Sequence, residues 1–152
     1  PVSPQPAQAS RWEPAPAVKQ QVEAKLMAIQ ANMEAIKSTY ASMEPFVKMR
    51  SLTGADNYFA QITKLNKELD AKMHDLLKTI NGLEIPPTEI ANKTKTEGEI
   101  YKKFLEFLTK QNQGFSLLYK EVGVLTKAAQ KTQKCINDLT EKYMKEMGNA
   151  LK

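Results

Sequence analysis

The stretch VEAKLMAIQANMEAIKSTYASMEPFV, residues 22–47, decides the fold class of this chain. Its apolar residues recur at alternating steps of four and three, with mostly polar residues between them. They are Val22, Leu26, Ile29, Met33, Ile36, Tyr40, Met43 and Val47. Such steps keep side chains on one face of an α-helix, whereas a half-buried strand alternates every second residue. The stretch therefore predicts an amphipathic helix with coiled-coil spacing over residues 17–50.

A second segment, residues 56–81, has a similar helical spacing. Its apolar stripe consists of Phe59, Ile62, Leu65, Leu69, Met73, Leu76 and Ile80. Asp56 is a residue type that caps a helix start, and Asn81-Gly82 is a typical left-handed helix end. In the first helix we expect a kink at Pro45, or a helix end just before it, because an interior proline removes a backbone hydrogen bond.

A third segment, residues 97–147, carries two columns at heptad spacing. One column holds Tyr101, Leu108, Phe115, Val122, Ala129, Ile136 and Tyr143, and the other holds Phe104, Gln111, Leu118, Leu125, Thr132, Leu139 and Glu146. Thr96 followed by Glu99 matches a capping box. Uninterrupted, this helix would be roughly 75 Å long. We predict a long helix whose end projects beyond its neighbours towards a partner; the alternative is a bend at Gly114 or Gly123.

The composition agrees with a helical bundle that has a large wet surface. Hydrophobic residues make up 41% and charged residues 26%, and glycine and β-branched runs are scarce. Residues 1–16 hold five of the eight prolines, which predicts a disordered proline-rich arm that is either a linker or a docking peptide. We therefore predict an all-α chain: this arm, followed at residues 17–152 by an elongated, antiparallel, coiled-coil-like three-helix bundle.

The positive charge is mild and spread out. The net charge is +5, and lysines occur in all three helical segments, whereas nucleic-acid binders concentrate them on one face. Nucleic acid is therefore an improbable partner. The outer face of the third helix carries Lys120, Lys127, Lys131 and Lys134. We interpret this face either as solvated, or as a contact for a weakly anionic membrane surface or an acidic partner helix.

Catalytic and metal-binding chemistry has little support in the sequence. The single histidine, His74, has no further histidine or cysteine at helical spacing, and the single cysteine, Cys135, has no histidine near it in sequence. We expect no enzyme activity, no cofactor and no metal. One cysteine forms no internal disulfide, which suggests a reducing, cytoplasmic compartment. No stretch approaches the ~20 apolar residues of a membrane span.

Four apolar residues lie outside the seam of the third helix. Ile100 and Phe107 are seven residues apart and flank the seam, and Leu117 and Val124 are seven apart on the opposite side. A helix with one buried face carries polar residues elsewhere. These pairs therefore either pack against another helix of the chain or form a partner-binding surface. We predict them as the binding site.

The run EGEIYKKFLEFLTKQNQGF, residues 97–115, resembles part of the V domain in the ALIX family of ESCRT adaptor proteins. The resemblance extends loosely back to about residue 36. It implies a trunk of long antiparallel helices that grips Tyr-Pro-x-Leu peptides. Two apolar residues seven apart line the family's peptide pocket, and they correspond to Ile100 and Phe107. The proline-rich stretch of that family follows its V domain, whereas here it precedes the helices.

The layout of the first two helices is also similar to BAG co-chaperone domains, although the Arg and Asp constellation expected on their later helices is missing. The sequence therefore favours a scaffold or adaptor segment that binds a helix or short peptide through apolar grooves. The alternatives are a membrane-surface or membrane-remodelling domain that uses the lysine face, and a BAG-like domain. A heptad seam also serves a homo-oligomer.

Overall fold

The computed structural model describes residues 14–151, and this part of the chain consists of four α-helices without a strand. They are α1 (Pro16–Lys48), α2 (Leu52–Asn81), α3 (Ile90–Val122) and α4 (Lys127–Ala150). A short 3-10 helix, Pro87–Glu89, leads into α3. The all-α prediction is confirmed for these residues. Residues 1–13, which make up most of the predicted arm, lie outside the described residues.

The helices form two antiparallel pairs that pack side by side. α1 lies along α2, α3 lies along α4, and α2 packs on α4. In contrast, α1 contacts α3 over a short stretch only. α2 and α4 run parallel. The start of α4 is bonded to the start of α2, where Thr126 donates to Asp56, and a later residue of α4 is bonded to a later residue of α2, where Tyr143 donates to Asp70. The α1–α2 and α3–α4 turns therefore lie at one end of the bundle, which we name the turn end.

The predicted long third helix is two helices, so residues 14–151 contain four helices instead of the predicted three. The chain turns at Gly123, whose φ of 76° is left-handed backbone that costs an L side chain free energy. Thr126 then caps α4 by accepting a hydrogen bond from the Ala129 amide at 3.2 Å. The prediction of an unbroken helix was wrong because the heptad columns continue across this turn, and the break lies at one of the two glycines that the alternative named. The apolar seam is buried inside the chain: Leu118, Ile136 and Leu139 are at most 9% exposed.

The first corner also differs from the prediction. α1 does not end before Pro45 but continues to Lys48, close to the predicted bound at residue 50. Pro45 lies in the last turn, and the carbonyl it leaves without a donor is at the exposed Ala41. α2 begins at Leu52 rather than Asp56. The corner residue is Arg50, with φ of 57°. Gly54 lies inside α2, where an added Cβ would meet the Phe46 ring at 2.6 Å.

α3 begins seven residues earlier than the capping-box motif indicates. Its first residue is Ile90, immediately after the 3-10 helix, so Thr96 lies within the helix. The Thr96 hydroxyl donates to the Asn92 carbonyl at 2.9 Å instead of capping the end. At the end of α2, Gly82 has φ of −77°, which is not the left-handed end that its sequence predicts.

Candidate functional site

Two of the four predicted binding residues pack against the core of the bundle, one of them only in part. Phe107 is 8% exposed, and Ile100 is partly buried against the same core. Both pack inside the chain, which is the other interpretation that their spacing allowed.

The other two predicted residues lie on the surface at the turn end. Leu117, near the end of α3, is 67% exposed, and Val124, in the turn after Gly123, is 69% exposed. Met49, in the α1–α2 turn, is 74% exposed and lies at the same end. Both turns of the bundle therefore present an apolar side chain to solvent. Sequence reasoning missed Met49, because its exposure depends on the end of α1.

The break at Gly123 divides the predicted lysine face. Lys120 remains on α3, whereas Lys127, Lys131 and Lys134 begin α4. Lys134 pairs with Asp138 at 3.4 Å on its own helix. The four lysines therefore do not form the single continuous face that an unbroken helix predicts.

Lys131 instead borders a groove between α2 and α4. This lysine groove has a volume of about 430 Å³ and is lined by Ala60, Thr63, Lys64, Lys67, Ala128 and Lys131. Two of its three lysines, Lys64 and Lys67, were not predicted as site residues. The parallel contact of α2 with α4 brings them to Lys131, and no local pattern in the sequence encodes that contact.

A second cavity of about 360 Å³ lies further along α2 and α4 and also borders α3. Its lining includes His74, Lys78, Tyr101, Lys142, Tyr143 and Glu146. Beside this cavity, Asp70 accepts hydrogen bonds from Tyr143 at 2.6 Å and from Lys142 at 2.8 Å. Burial, together with the bond to Asp70, raises the pKa of Tyr143 well above its ordinary value. The two hydrogen bonds to Asp70 join α4 to α2.

The thiol of Cys135 lies one helical turn beyond Lys131 and is partly buried. Burial raises the pKa of this thiol, which opposes formation of the reactive thiolate. Among residues 14–151, no three histidine, cysteine, aspartate or glutamate side chains cluster closely enough to hold a metal ion. Within the same residues, no helix combines the length and the apolar character needed to cross a membrane.

Comparison of the chain with protein-family models, curated proteins and solved structures gives no match.

Proposed function

We propose that this chain is a non-enzymatic scaffold or adaptor module that binds a partner protein through apolar residues at its turn end. Leu117 and Val124 are the central residues, and Met49 adds to them. The single observation that supports the proposal is their exposure, because the heptad seam and Phe107 are already occupied within the chain. The partner surface is a short apolar peptide or a helix face.

The expected interaction is weak. Complete burial of one Leu, Val or Met side chain stabilises a complex by about 1.5–3 kcal/mol, and association itself costs several kcal/mol. Three such residues therefore suit a transient contact, or one module among several in a longer assembly.

The test compares two double variants as baits for partner capture. Leu117→Asp with Val124→Asp places charge at the turn end, whereas Met27→Asp with Met144→Asp changes two residues that are similarly exposed, at 68% and 60%, elsewhere. We expect the first pair to lose partners that the parent chain and the second pair retain. Circular dichroism must show equal helix content in all three proteins. Equal recovery by both pairs contradicts the proposal.

A second candidate function is contact with an anionic membrane surface at the same end. The observation in its favour is that basic residues flank both turns: Arg50 follows Met49, and Lys120 and Lys127 bracket Val124. Cosedimentation with vesicles that contain phosphatidylserine, but not with pure phosphatidylcholine, and its loss in salt, would support this function. Partner capture without vesicle binding would exclude it.

A further inference from the structure

The lysine groove lies between two helices that hydrogen bonds join directly. Two pairs of polar residues hold the helices side by side around it: the Thr63 and Thr132 hydroxyls lie 2.6 Å apart, and Thr126 donates to Asp56. Ala60 and Ala128 line the recess between the helices, where larger side chains would fill it.

The three lysines of the groove have no ion-pair partner in the described part of the chain. Within residues 14–151, no ion pair within 4.0 Å involves Lys64, Lys67 or Lys131. Three of the acidic side chains on the same two helices are engaged by other residues, and Glu68, four residues after Lys64 on α2, forms no ion pair within 4.0 Å with another described residue. Thr126 donates to Asp56, Tyr143 and Lys142 donate to Asp70, and Lys134 pairs with Asp138. The ammonium groups of Lys64, Lys67 and Lys131 are therefore available to an acidic ligand.

We infer that Lys64, Lys67 and Lys131 form a second binding site, which takes an acidic helix of a partner protein. Lys64 and Lys67 are three residues apart, which corresponds to about 4.5 Å along the axis of α2. Carboxylates three or four residues apart on a helix have a matching spacing. A small residue between those carboxylates fits against Ala60 and Ala128. A planar lipid surface reaches the lysine ends but not the alanines in the recess, so the shape favours a helix.

The charge test uses an alanine-rich helical peptide with glutamates at spacings of three and four, labelled for fluorescence anisotropy. Lys64→Glu, Lys67→Glu and Lys131→Glu are combined in one variant. The matched control combines Lys19→Glu, Lys95→Glu and Lys103→Glu, which changes the net charge equally at exposed lysines outside the groove. We expect the groove variant to lose at least ten-fold in affinity at low salt and the control less than three-fold. Equal losses would show that only net charge matters and would overturn the inference.

A shape test leaves the charge unchanged. Ala60→Trp fills the recess, and Ala41→Trp adds the same side chain on the exposed side of α1. We expect about a ten-fold loss of peptide affinity for the first variant and no change for the second. If the parent chain binds phosphatidylserine vesicles through the three lysines and does not bind the peptide, the ligand is a membrane and the inference is wrong.

This inference stands apart from the proposed function. The Leu117→Asp and Val124→Asp pair should leave peptide affinity unchanged, and the groove variant should retain the turn-end partner. Each of the two proposed binding sites can therefore be contradicted without the other.

Discussion

Asn66 on α2 and Gln111 on α3 exchange two hydrogen bonds in the interior of the bundle. The Asn66 amide donates to Gln111 at 3.2 Å, and the Gln111 amide donates back at 3.1 Å. Asn66 is fully buried and Gln111 is 6% exposed. In the sequence, Gln111 interrupts an otherwise apolar column. In the fold it joins the two helix pairs, because a buried amide needs a hydrogen-bond partner and Asn66 on α2 supplies one.

The amide pair can be tested by removing its members singly and together. Asn66→Leu or Gln111→Leu alone leaves one buried amide without a partner, which should lower the free energy of unfolding by about 1–3 kcal/mol. The double variant should recover to within about 1 kcal/mol of the parent, because neither amide remains. Chemical denaturation of all four proteins measures this coupling. Purely additive losses would show that the two side chains act independently.

The break between α3 and α4 depends on Gly123. Gly123→Ala forces an L side chain into left-handed backbone and should lower the free energy of unfolding by about 1–2 kcal/mol. Gly114→Ala is the matched control, since Gly114 lies inside α3 and an added Cβ meets nothing within 4 Å. That change should stabilise the chain by about 0.5–1 kcal/mol. Thermal denaturation gives both values. Stabilisation by Gly123→Ala would indicate that α3 continues into α4.

Phe107 and Leu117 should respond differently to truncation. Phe107→Ala removes a buried ring and leaves a cavity, so it should cost about 3–5 kcal/mol of the free energy of unfolding. Leu117→Ala changes an exposed side chain and should stay within about 0.5 kcal/mol of the parent. Urea denaturation compares the two. A small effect of Phe107→Ala would indicate that Phe107 is exposed and lines the binding groove that its spacing predicts.

The reactivity of Cys135 should rise only at high pH. Burial raises the pKa of this thiol, so the reactive thiolate forms at a higher pH than in an unstructured peptide. The rate of reaction with a disulfide reagent, followed against pH, measures the pKa. Lys67 opposes the rise, and Lys67→Gln should therefore move the midpoint to still higher pH. A midpoint at or below that of the peptide contradicts this environment for Cys135.

The sequence was most informative about the helix faces. The stripe on α1 contains residues that the structure buries, such as Ile36 and Met43, and that on α2 includes the buried Phe59 and Leu69. The spacing of apolar residues predicts which face of a helix is buried. Helix ends were less predictable. Asp56 and Thr96 have the chemistry of caps, but their side chains make other hydrogen bonds, to Thr126 and Asn92.

The sequence by itself determined that the chain is helical and which face of each segment is apolar, because both follow from contacts within a few residues. Only the tertiary structure decided that the heptad seam turns back at Gly123 and is covered by the same chain. It also decided that Phe107 is interior, that Leu117 and Val124 are exposed, and that Lys131 faces Lys64 and Lys67. The physical reason is that these outcomes depend on which helices become neighbours, and helical spacing is the same whichever helix covers a face.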